Sequence, residues 1–231
     1  MGEIIPARRF VGESGTPVLT VDGAGCAPAE VVEIAAALAP FPRAVNQYPG
    51  LRRCFDERDA AAWSYATGLL RAIAPYVSGA FDIDGYDLVE ASFSLVTTPP
   101  GALTPVQRTP HFDSVDPDLY AVLHYLAPCA GTAFYRHRQT GLETISVATV
   151  DAYVAQARRD AAQAAADYVR GDTAAYACTG HVEGSAGRVV AYPARLLHSG
   201  MIPAGFHGSA DPRAGRLTAN FFIRAHKPAG S

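Results

Sequence analysis

Residues 107–126 read QRTPHFDSVDPDLYAVLHYL. A polar loop bounded by proline gives way to His111 and Asp113, two positions apart, and then to the apolar run AVLHYL. An apolar run of this length between turn residues reads as a buried strand. If the chain is already extended at His111, period-two geometry aims an imidazole and a carboxylate at one point. That is the start of a metal site. It is also the pattern of a surface loop in which an Asp makes a turn. A further ligand from a distant piece of chain separates the two readings.

Outward from this stretch the chain divides into a helical first part and a strand-rich second part. Pro28 suits a first helical turn, with Val31, Ile34, Ala35 and Leu38 on one face before Pro40 and Pro42. From Asp56, Trp63, Ala66, Leu70, Ile73 and Val77 make one buried stripe that Gly79 ends. After residue 87 the period becomes two. DLVEASFSLVT, AVLHYL, GTAFYRHR, GRVVAY and RLTANFFIR are strand-like runs between turns. One helical pattern interrupts them over about 148–170, with Gly171 as its cap. The expectation is a single domain over 1–231. Helical support covers about 1–86, and a β core covers about 87–226 with one helical insertion.

Seven histidines are available, and His198 in GRVVAYPARLLHSG fits the missing ligand best. It follows a strand, a proline break and two leucines. Two histidines and one carboxylate on one face of a metal suit ferrous iron and leave positions open. In GRLTANFFIR, Arg216, Thr218 and Asn220 share a strand face. An inward-facing Arg is costly unless it meets an anion, and its planar fork fits a carboxylate. One of the protein's own 22 acidic residues could equally be that partner.

His-x-Asp, a distant His, then Arg-x-Thr resembles the Fe(II)/2-oxoglutarate-dependent oxygenases, a superfamily built on the double-stranded β-helix, the cupin-like jelly roll. The separations are 85 residues from Asp113 to His198 and 18 onward to Arg216. NQYPGLRR, QRTPHFD, GTAFYRHRQTG, LHSG and GRLTANFF together resemble an uncharacterised bacterial family within it. The resemblance implies His111, Asp113 and His198 as iron ligands. It implies Arg216, helped by Thr218, as the holder of the 2-oxoglutarate C5 carboxylate, with Tyr125, or else Tyr120, beside the co-substrate. It further implies O2 as oxidant and hydroxylation of a small molecule or an amino-acid or peptide side chain. Halogenases of this type lack the carboxylate that Asp113 supplies. A cupin-like metal- and ligand-binding module without turnover, and a zinc hydrolase on the same three ligands, are the competing classes.

The formal charge of −3, with no run of like charges, argues against nucleic acid as a partner. The four cysteines lack a C-x-x-C pair and read as thiols of a reducing compartment. MGEIIPARRFVGESG offers no signal peptide or membrane span, so a cytoplasmic monomer or homodimer without membrane contact is expected. His124 reads as a core or pocket-wall histidine, and His137, between Arg136 and Arg138, as part of a solvated hairpin or of a loop that meets an acidic substrate group. His181, His207 and His226 read as exposed. Arg108 is either a substrate anchor or an exposed loop charge. Arg213 competes with Arg216 for the anion, but only Arg216 opens the apolar alternation.

Overall fold

The computed structural model describes residues 3–45 and 47–226. The remaining ends of the expected domain, and Asn46 of NQYPGLRR, lie outside the described residues. Among the described residues the chain is mainly β, with three α-helices and two antiparallel sheets.

Strands β1 (Ile5–Val11) and β2 (Thr16–Asp22) form a hairpin, followed by helix α1 (Pro28–Ala37), strand β3 (Gly50–Phe55) and helix α2 (Ala60–Phe81). Then come β4 (Gly85–Val96), β5 (Leu119–Tyr125), β6 (Cys129–His137) and helix α3 (Val150–Gln163). The chain closes with β7 (Tyr176–Gly184), β8 (Val189–Pro193), β9 (His198–Gly200) and β10 (Arg216–His226). The large sheet has the order β1-β2-β8-β5-β10-β4-β3, and the small sheet the order β7-β6-β9.

Alternation along β10 explains the layering. Leu217, Ala219, Phe221, Ile223 and Ala225 join a core cluster with Tyr65, Leu69, Ile73 and Val77 of α2. Thr218 and Asn220 therefore face the other way, toward the small sheet. Between the sheets, Tyr125, Val190 and Tyr192 pack on Phe134 and Val182. Each such fully buried side chain contributes about 1.5–3 kcal/mol. On the outer face of the small sheet, Tyr135 and Tyr176 pack against Tyr153 of α3.

The expected helical support over 1–86 needs correction, because three of its segments are strands. Strand β1 is an edge strand, exposed along nearly its whole length. It has no buried face to impose a period, and Pro6 reads as a strand breaker. The insertion also ends early: α3 stops at Gln163, and Ala164 is extended. The reason is tertiary. Tyr168 packs with Val96, Leu103 and Ile202, while Val169 packs on the opposite side with Tyr135 and Tyr176. Adjacent residues reach opposite sides only from extended backbone. Helix α2 instead passes Gly79 and closes with Asp82 in a left-handed conformation (φ 54°).

Glu143 ties the β1–β2 turn to the rest of the molecule. Its carboxylate accepts hydrogen bonds from the N–H groups of Glu13 and Ser14, each 2.9 Å, and from the Ser14 hydroxyl at 2.5 Å. Gly12 adopts φ 70°, and a Cβ there would sit 2.1 Å from that carboxylate, so a larger residue would be strained and would displace Glu143. Burial raises the Glu143 pKa, but the Ser14 and Glu13 hydrogen bonds and nearby Arg136 outweigh it, and the net value is lowered. Its stabilising contribution is therefore whole above the ordinary value of 4.5 and is lost as pH falls through the lower folded value. Glu143→Gln should cost about 1–2 kcal/mol at neutral pH, or about 2–8 °C in Tm. Thermal melts should show that deficit shrinking toward acid pH. An equal deficit at every pH would mean that the carboxylate charge plays no part.

Candidate metal and anion site

His111 does not belong to β5, as an extended chain running into AVLHYL would require. Two hydrogen bonds pair it with His198 instead: His111 N–H to His198 O at 2.9 Å, and His198 N–H to His111 O at 2.8 Å. The turn residues explain the separation. The Ser114 hydroxyl accepts from Asp116 N–H at 3.1 Å, and the Asp116 carboxylate accepts from Asp118 N–H at 2.9 Å. This bend carries the chain from the small sheet to the large one.

A reciprocal antiparallel pair sets its two side chains next to each other on one face. The imidazole centroids of His111 and His198 are 4.3 Å apart. Asp113 is positioned from behind by its N–H, which donates to Ala194 O at 2.8 Å. Its carboxylate oxygens lie 3.7 Å from His111 Nε2 and 3.5 Å from His198 Nε2. One ligand atom from each of the three residues lies within 4.8 Å of the others. The tautomer of His198 follows from its partner. Nδ1 is 2.9 Å from Leu196 O, which can only accept, so Nδ1 carries the hydrogen and Nε2 keeps its lone pair. The His111 side chain is half exposed, and desolvation by the surrounding protein, then the neighbouring His198, lower its pKa against the pull of Asp113. Both histidines thus suit a divalent metal, and the set of two imidazoles and one carboxylate suits iron.

The cluster opens into a cavity of about 340 Å³ between the sheets. Arg216 and Thr218 line the same cavity. The Arg216 Nη2 donates to Gly131 O at 3.4 Å, and its Nε is buried with no hydrogen-bond partner. Among the described residues no carboxylate pairs with Arg216. Arg213, by contrast, lies at the surface and holds Glu33 through two hydrogen bonds of 2.9 and 2.6 Å. The Arg216 guanidinium lies over Gly200, within 3.5 Å of where a Cβ would be. Gly200 is two residues beyond His198 on β9, about 7 Å along the strand. The histidine–carboxylate cluster and a guanidinium without a carboxylate partner among the described residues thus line one cavity.

Tyr125 stands one layer behind the wall. It is fully buried, and its hydroxyl is 2.6 Å from that of Thr132, which does line the cavity. Burial holds its phenol well above the usual pKa. Tyr120 points to the helical side, against Phe81. His124 is a core histidine whose Nδ1 is 2.7 Å from the Tyr65 hydroxyl. His137 departs from expectation. It is fully buried, 2.8 Å from both Thr140 and Asp160, because α3 brings Asp160 over the hairpin. His181, His207 and His226 are exposed.

Tyr48, Arg52, Thr132 and Tyr192 line the cavity without having been picked out from the sequence. Burial raises the Tyr48 pKa to about 12, against the pull of Arg216 and Arg52 and a hydrogen bond with Thr218. NQYPGLRR carried the signal for Tyr48 and Arg52, but nothing in its pattern shows which way those side chains turn.

Fold and site define a mainly β protein with a histidine–carboxylate cluster beside an anion-ready arginine. The chain belongs to a family of unknown function (DUF6445), whose model matches residues 4–223. No curated protein sequence matches it. Among solved structures it is similar to AviO1 from Streptomyces viridochromogenes Tue57, at 19% identity over 91% of this chain and 92% of the other, with a TM-score of 0.47. The non-heme alpha ketoglutarate dependent epimerase SnoN from nogalamycin biosynthesis is 15% identical over 92% and 81%, with a TM-score of 0.46. An N-substituted L-amino acid dioxygenase from Burkholderia ambifaria AMMD is 12% identical over 98% and 100%, with a TM-score of 0.47.

Replacing His111, Asp113 or His198 by Ala should each weaken Mn(II) binding about 100-fold or more, read by the EPR signal of free Mn(II). His207→Ala, at the surface, should leave it unchanged. Unchanged binding in all four variants would show that the metal binds elsewhere.

Proposed function

We propose that the protein is an Fe(II)/2-oxoglutarate-dependent oxygenase that hydroxylates a small molecule or an amino-acid or peptide side chain. The observation that carries this reading is Arg216. A guanidinium with no carboxylate partner among the described residues opens into the same cavity as two imidazoles and a carboxylate. The strand order β8-β5-β10-β4 opposite β7-β6-β9, with His111 bridged onto β9, fits a double-stranded β-helix, in which the chain crosses repeatedly between two sheets.

His111, Asp113 and His198 would hold the iron. Ferrous iron with 2-oxoglutarate and O2 supplies an oxidant able to take hydrogen from an unactivated carbon; one oxygen atom enters the product and the other enters succinate as CO2 is lost. Arg216 contributes a planar fork for the distal carboxylate, and the Thr218 hydroxyl, which donates to Asn220 Oδ1 at 3.3 Å in the structure, would turn from that acceptor to supply a second donor. Leu123, Val96 and Ile202 give the cavity an apolar stretch of wall. Asp113 supplies the only carboxylate on the cavity wall among the described residues. With Asp113 held as a ligand, a zinc hydrolase would lack its general base.

Incubation with Fe(II), ascorbate and 2-oxoglutarate should release succinate. Arg216→Ala should raise the 2-oxoglutarate requirement about 100-fold or more while iron affinity stays nearly intact. Normal succinate formation by that variant would overturn the assignment. Metal and 2-oxoglutarate binding without any succinate would instead identify a binding module.

A further inference from the structure

Beside the first cavity lies a second of about 870 Å³, and Thr109 and Tyr168 line both. The second is walled by the segment after α3, the end of β6 and the loop that leads to His111. Its volume lies within the usual range for small-molecule sites. Its charged groups are nearly all spent on one another. Arg138 pairs with Asp172 at 3.0 Å, and Arg170 with Asp167 at 2.5 Å. Asp160 accepts from Gln156 at 2.9 Å and lies 2.8 Å from His137.

Arg108 is different. Its Nε and Nη2 both donate to Leu103 O, at 3.1 and 2.7 Å, and no acidic partner exists among the described residues. A guanidinium has five N–H donors. Two are used on one edge, which leaves three at the Nη1/Nη2 end. That end is the fork that binds a carboxylate bidentately. The bond to a backbone carbonyl holds the fork in place before any ligand arrives, so little side-chain entropy remains to be lost. Arg108 also adjoins Thr109, where the two cavities meet.

Resting on the oxygenase reading, we propose that the second cavity receives the prime substrate, and that Arg108 anchors a carboxylate of that substrate. The substrate is then an organic acid whose acidic end sits at Arg108 while another part extends past Thr109 and Tyr168 toward the metal cluster.

The test follows the Nε–Hε resonances of arginine in 15N-labelled, Zn(II)-loaded protein. 2-Oxoglutarate is added first to occupy Arg216, followed by N-acetylglycine or its amide. The Arg108 resonance, identified by its absence from Arg108→Lys, should move with N-acetylglycine at about 1–10 mM and stay still with the amide. Arg108→Lys, which keeps the charge but loses the fork, should bind the acid about tenfold more weakly, as read from the acid's own line broadening. No movement with the acid, or equal movement with acid and amide, overturns the proposal. Failure of Arg216 to respond to 2-oxoglutarate would instead count against the oxygenase reading and leave the Arg108 result to stand by itself.

Discussion

Two backbone hydrogen bonds between His111 and His198 hold the candidate site together. They form an isolated bridge in the loop before β5. Because the pair is reciprocal, the two imidazoles must emerge side by side. Because Leu196 O takes the His198 Nδ1 hydrogen, the lone pair on Nε2 is directed away from the backbone. Asp113 then needs only one anchor, Ala194 O, to complete a three-sided set. Backbone pairing places groups more firmly than flexible side chains can, and a metal site needs its ligands positioned before the metal arrives.

The large sheet supplies the second half of the arrangement. Arg216 opens β10 opposite Val96, and Thr218 pairs with Ser94 on one side and Tyr125 on the other. With α1 and α2 covering the far face, β10 can direct polar residues only into the space between the sheets. A guanidinium there is stabilised by an anion, and no protein carboxylate reaches it among the described residues. The cost of burying the Arg216 guanidinium without a carboxylate partner would be offset by a bound anion. Arg108 shows the same economy at the neighbouring cavity. Its guanidinium is fixed on one edge and open on the other, whereas Arg138 and Arg170 are paired.

Much of this was legible in the sequence, for physical reasons that differ by residue. Alternation in GRLTANFFIR put Arg216 and Thr218 on one face because that strand is buried on both sides by different partners. His-x-Asp followed by a distant His conveyed the order of the three clustered residues but not their sheet, since DSVDPD hides a crossing that its turn hydrogen bonds reveal. Strands β1 and β3 went unread because edge strands carry little hydrophobic periodicity. The burial of His137 depends on Asp160, 23 residues away, and no local pattern encodes that meeting. Tyr48 and Arg52 reach the cavity from an edge strand and the loop before it, where side-chain direction follows from tertiary packing alone.

The central claim is that the histidine–carboxylate cluster and Arg216 bind one ligand between them. Anaerobic addition of Fe(II) and then 2-oxoglutarate to the purified protein, followed by visible spectroscopy, tests it most directly. The account predicts a weak charge-transfer band that needs both additions and is absent from His111→Ala. A folded protein that binds iron yet develops no band when 2-oxoglutarate is added would contradict it.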